Sequence, residues 1–181
     1  MPLFLKILLT VLLVAYPFIV YLGLQFTDLR WVLVALAVIL LIRLSALKEA
    51  DKALRLPVWA GLLLVTLSFV TEQQGFILFY PVMVNLIFLF IFGYSLKSGL
   101  PMIERFARIR EPELPEEAKP YLYKITQIWC GFFIVNASIS MYTAMMTNLK
   151  IWSLYNGLIS YLLSGSLFVG EWLYRKLCLK R

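Results

Sequence analysis

The chain has 181 residues, of which 62% are hydrophobic and only 15% charged, with a formal net charge of +7 and no histidine. So little polar surface cannot coat a water-soluble globule of this size, which excludes a soluble fold and implies a lipid-embedded one. The positive charge then belongs to loops facing a cytoplasm and anionic headgroups; no separate basic domain exists to bind nucleic acid.

Apolar runs at 32–42, 56–70 and 76–93 recur with charged knots between them. In about 30 Å of hydrocarbon every backbone amide must be paired within its own segment, so such runs read as helices. The expected fold is all-α, a single polytopic membrane domain over 1–181. Its six transmembrane helices fall at about 3–24, 29–47, 56–71, 76–96, 122–146 and 151–174, with a cytoplasmic connector at 97–121. The first run is too long for a signal sequence and lacks a small-residue cleavage pattern, so it reads as a retained helix. A model in which the second and third helices only dip into the membrane would bury Lys48, Glu49, Asp51, Lys52 and Arg55 at mid-depth. That would cost about 2.5–3.5 kcal/mol for each ion, and two full crossings are cheaper.

Fifteen of the 17 Lys and Arg fall on one side of an alternating six-helix path, leaving Arg30 and Lys150 on the other. Short basic loops stay in the cytoplasm, so both termini are expected there. Cys130 and Cys178 lie in or beside apolar helices on that side, and a structural disulfide is not expected.

Tyr16-Pro17 and Tyr80-Pro81 open two similar stretches, Tyr-Pro-x-x-Val-x-Leu. Both prolines come near the same leaflet, whereas inverted repeats would place them at opposite depths, so they read as two separate kinks. In the connector, Pro101 stands at the first turn of a short amphipathic helix. Met102, Ile103 and Phe106 gather on one side, and Glu104, Arg105, Arg108 and Arg110 point elsewhere. That helix is expected to lie on the cytoplasmic leaflet, with Arg105, Phe106, Arg108 and Arg110 as its lipid or partner contacts. Pro112, Pro115 and Pro120 are then expected to keep the following segment from continuing as helix.

Polar residues inside the bilayer concentrate in the last two helices. Asn136, Ser140 and Thr143 share one face; Ser153, Gly157, Ser160 and Ser164 form a small-residue seam, Asn156 flanks it, and Asn85 stands ready to join them. Two readings stay open: a packing seam with interhelical hydrogen bonds, or a polar groove that admits a headgroup or solute. A cavity around Asn136 and Ser160 would favour the groove, and a dry seam the packing role. Catalytic constellations are missing. There is no histidine for proton transfer or metal binding, no phosphate loop and no nucleophile elbow, and the one acid within an expected spanning helix, Glu171, is spaced to pair with Arg175. The expected protein is non-catalytic and carries no cofactor and no metal.

Pro101-Met102-Ile103-Glu104-Arg105, then Glu113-Leu114-Pro115, Trp129 with Phe132-Phe133, Tyr142-x-Ala144 and Ile151-Trp152 resemble the carboxyl-terminal half of the intracellular septation protein A family of bacterial inner-membrane proteins. The likeness spans about residues 75–155. This chain departs from the family pattern at Ser140, where the family tends to have asparagine, and at Asn156, where lysine is expected. The resemblance implies a bacterial inner-membrane protein that supports envelope biogenesis or septation through contacts with division or envelope membrane proteins, with a homo-oligomer also open. The alternative is a small lipid or isoprenoid-carrier transporter that uses the polar face of the last two helices.

Overall fold

The computed structural model describes residues 11–12, 14–47, 52–110 and 112–178, so 3–10 of the first expected span and most of the charged connector at 48–51 lie outside it. The side chains of Arg110 and Arg175 also lie outside the described set. The chain is built from helices α1 (Tyr16–Phe26), α2 (Leu29–Ala46), α3 (Lys52–Thr71), α4 (Gly75–Leu78), α5 (Tyr80–Lys97), α6 (Met102–Arg110), α7 (Lys119–Met146), α8 (Leu149–Leu154) and α9 (Ser160–Cys178). A π-helical turn, Tyr155–Ile159, joins α8 to α9 in one rod, and no strand occurs among the described residues. Three helical runs, Leu29–Ala46, Tyr80–Lys97 and Glu116–Met146, are long and apolar enough to cross a membrane. Tyr16–Phe26 and Arg55–Thr71 are shorter apolar helices.

Helix α2 shows why these segments fold as they do. Leu33, Leu36 and Leu40 recur at helical spacing and are buried, while Trp31, Val34, Val38 and Leu41 form a second apolar stripe that faces outward. A helix apolar on both sides suits a bundle solvated by lipid. Close contacts hold the neighbours together. A Cβ at Gly23 would stand 2.8 Å from a Val32 methyl, and one at Gly61 2.9 Å from a Leu40 methyl, so these side chains pack directly onto the glycine backbone. Helix α3 ends at Glu72, whose φ of 57° is left-handed and turns the chain toward α4.

The central contact is between α5 and α7. They run antiparallel, pairing Asn85 with Asn136, Phe88 with Phe133 and Phe92 with Trp129. On α7 the buried positions Leu122, Thr126, Trp129, Phe133, Asn136, Ser140 and Thr143 alternate at four and three residues, the periodicity of a coiled-coil seam. The half nearer Lys119 is packed with rings: Phe92 meets Phe133 edge-on with centroids 5.1 Å apart, and Trp129 meets Phe168 of α9 at 4.5 Å.

Three sequence expectations change. Pro120 does not interrupt helix; it stands in the first turn of α7, where its missing N–H is harmless, and the helix starts at Lys119 instead of about 122. The stretch expected as one helix over 76–96 is broken at Phe79, between α4 and α5. Helix α6 docks on the bundle through Met102 and Ile103 of its expected apolar side together with Glu104 of the other. Glu104 is only 3% exposed and accepts two hydrogen bonds from Arg108, at 3.0 and 2.7 Å, whereas Phe106 and Ile109 face outward. The reason is the helix start, whose free amides need acceptors. The Met102 amide donates to the buried hydroxyl of Ser95 at 2.9 Å and that of Ile103 to Thr126 at 3.4 Å, which presses the first turn onto α5 and α7.

Candidate functional site

The two Tyr-Pro pairs locate the site. Proline at position 81 has no N–H to give the Ile77 carbonyl, its partner in an unbroken helix. The Tyr16 hydroxyl donates to that carbonyl instead, at 2.6 Å, and the Trp152 indole N–H donates to the neighbouring Leu78 carbonyl at 3.0 Å. The break at Phe79 is thus sealed by α1 and α8, and the Tyr16 and Tyr80 rings come to rest 4.7 Å apart. Pro17 likewise stands at the start of α1, after a turn at Ala15. Both prolines face the same cavity.

Next to this seal lies a polar node centred on Asn136, which is 4% exposed. Its Nδ2 donates to Asn85 Oδ1 at 3.0 Å and to Ser160 Oγ at 2.9 Å, while its Oδ1 accepts from the Tyr155 hydroxyl at 2.9 Å. Asn85 in turn donates to the Pro81 carbonyl at 2.7 Å. The π turn makes this possible: one extra residue in the rod turns Tyr155 toward Asn136, Asn156 toward Thr143, and Gly157 against the Phe18 ring of α1. Asn156 Nδ2 donates to Thr143 Oγ1 at 3.2 Å and to the Trp152 carbonyl at 2.9 Å. A carbonyl can only accept, so the amide orientation is settled and Asn156 Oδ1 is left facing the interior. Oδ1 is buried with no hydrogen-bond partner among the described residues, as is Ser140 Oγ.

A cavity of about 370 Å³ fronts this node. Asn85, Asn136, Asn156, Ser160 and Ser164 line its polar side, and Phe88, Trp129, Phe132 and Phe133 its apolar side. Val14 and Tyr161, both more than 40% exposed, mark its mouth between α1 and α9. At about 1.5 Å per residue, Tyr16, Asn136 and Ser160 each stand ~15 Å in from the end of the bundle where their helices turn. The polar centre is therefore deep in the bundle and not at a rim. Arg43 of α2 also lines the cavity; it is half-buried and makes no ion pair among the described residues. A larger depression of about 660 Å³ lies at the turn end between α2 and α3. Its cation, Arg30, is already held by Glu72 at 2.8 Å in an exposed pair.

The structure thus brings Asn85, Asn136, Asn156, Ser160 and Ser164 to one cavity, with Thr143 bonded to Asn156 behind it and Ser140 buried nearby without lining it. The expected lipid contacts of α6 do not join them. Arg105 Nε donates to the Leu100 carbonyl at 2.9 Å, Arg108 is tied to Glu104 and to the Pro112 carbonyl, and Phe106 stands edge-on to Phe92. Glu171 accepts from the Tyr121 hydroxyl at 3.4 Å. Sequence reasoning missed Arg43, Tyr16, Tyr80 and Tyr155 as parts of the site. The paired Tyr-Pro stretches were the available signal, since Pro81 frees a carbonyl that Tyr16 of another helix satisfies.

No group of His, Cys, Asp and Glu able to hold a metal occurs among the described residues. No family model, no curated protein and no solved structure matches the chain.

Proposed function

We propose that the chain is a six-span protein of a bacterial cytoplasmic membrane, with both termini cytoplasmic, that takes the polar head of a lipid or isoprenoid-carrier molecule into its interior without chemical conversion. The observation that carries this reading is the cavity of about 370 Å³ at the Asn136 node, open between α1 and α9. A seam serving packing alone would be filled by the small residues of α9. Here Ser160 and Ser164 leave space instead. The volume sits near the lower end of the range of small-molecule sites, about 300–1,000 Å³. It suits a headgroup whose chain stays in the bilayer. The resemblance to septation proteins supplies the context, envelope synthesis or division, in which such a lipid would be handled. Six spans are supported by the three long apolar helices, the two shorter ones and the α8–α9 rod, together with the lopsided distribution of basic residues. On this reading the outward-facing Phe106 and Ile109 of α6 meet the cytoplasmic leaflet.

Ser164 lines the cavity at its half-buried edge, so Ser164→Phe fills the space without cutting the Asn136 node. Lipid extracted from the purified full chain and quantified by mass spectrometry is expected at about one molecule per chain, and several-fold less for Ser164→Phe at unchanged thermal stability. Equal amounts in both proteins, or none in either, would remove the groove reading. The topology has its own test. A reporter active only in the cytoplasm should work near Glu116 and stay silent at Gln74 or Asn148; activity at Gln74 would overturn six spans.

A further inference from the structure

Three features of the cavity constrain what enters it, given that a lipid-type headgroup does. Arg43 is half-buried in the wall and has no ion-pair partner among the described residues. No carboxylate among the described residues lines the cavity, so the described wall offers a cation and no counter-charge. An unscreened guanidinium beside hydrocarbon is costly unless an anion meets it, and its planar donor fork fits phosphate oxygens. Asn156 also lines the cavity and is 4% exposed; its Oδ1 is buried without a partner among the described residues, and a buried acceptor of this kind calls for a donor. Phe88, Phe132 and Val84 of the same wall are apolar and offer nothing to a second charge.

We infer that the cavity selects an anionic lipid whose headgroup joins a phosphate to a hydroxyl, with the phosphate at Arg43 and the hydroxyl donating to Asn156 Oδ1. The inference rests on the groove reading and narrows it. A zwitterionic choline headgroup would set a second cation in a wall that already has Arg43 and, among the described residues, no acid. Free phosphate would leave Phe88, Phe132 and Val84 uncovered.

The test is calorimetric titration of the full-length protein in an uncharged maltoside detergent with four probes: dihexanoyl phosphatidylglycerol, phosphatidylmethanol and phosphatidylcholine, and inorganic phosphate. Phosphatidylglycerol is expected to bind at least tenfold tighter than phosphatidylcholine. Phosphatidylmethanol, with the same charge and no hydroxyl, is expected to fall several-fold below phosphatidylglycerol, and inorganic phosphate should give no measurable heat. Arg43→Gln should erase the preference for phosphatidylglycerol, whereas Lys150→Gln, which removes an exposed charge at the turn end, should leave it intact. Equal binding of phosphatidylglycerol and phosphatidylcholine would overturn the inference and leave the groove standing. Equal binding of phosphatidylglycerol and phosphatidylmethanol would remove the role of Asn156, and saturation by inorganic phosphate would make this a free-anion site. Absence of binding by all three lipids would bring down the groove reading itself. The probe series on the unaltered protein decides these points even where Arg43→Gln fails to fold.

Discussion

The two halves of the α5–α7 contact share one geometry and differ in content. Toward Lys97 and Lys119 the inward positions carry Phe92, Trp129 and Phe133, rings that pack against one another. Toward the turn end the same alternation of four and three carries Asn136, Ser140 and Thr143, joined to α5 and the α8–α9 rod by hydrogen bonds beside an open cavity. Lipid tails are as apolar as leucine, so helices in a bilayer are held by packing and by polar contacts, not by escape from water. The ring half supplies the packing that clamps α5 to α7. That clamp is what lets the polar half leave a volume unfilled.

The contrast can be broken at either end. The largest effect is expected in the ring half. Phe133→Ala removes a buried ring that touches Phe88, Phe92 and Trp129, and should destabilise the protein by about 3 kcal/mol, measured as unfolding in detergent. If it has no effect, the clamp is not there.

A middle effect is expected at the node. Asn136→Leu would strand Asn85, Ser160 and Tyr155 together. Membrane interhelical hydrogen bonds average about 0.6 kcal/mol each, so three lost contacts should cost about 2 kcal/mol. A loss above that of Phe133→Ala would mean that the polar half, and not the rings, holds the pair. The smallest effect is expected at Gly157→Ala. The added Cβ would lie 2.7 Å from the Phe18 ring, but that ring is 39% exposed and free to swing outward, so the cost should stay below about 1 kcal/mol. A larger loss would show that α1 is locked against the rod and that the cavity mouth is rigid.

Much of this was legible in the chain. The polar face Asn136, Ser140 and Thr143 follows from spacing on one helix, and the small residues of α9 follow from theirs. Asn85 was readable only as a candidate, because its partner lies 51 positions away. The burial of Glu104 was not legible for a related reason. An isolated amphipathic helix offers its apolar side to whatever is near, but here hydroxyls of two other helices capture its first amides and choose which side docks.

The sequence by itself determined an all-helical chain with runs apolar enough to enter a membrane. Helical hydrogen bonds join residues four apart, and hydropathy is a property of composition, so both can be read locally. Only the tertiary structure decided where the interior is open and what faces it. Tyr16 closes a carbonyl freed by Pro81 across 61 positions, a π turn redirects Asn156, and Arg43 is brought to the same cavity from a different helix pair. Each depends on how one helix break is satisfied by a distant side chain, which is decided by packing in three dimensions and by no local pattern of residues.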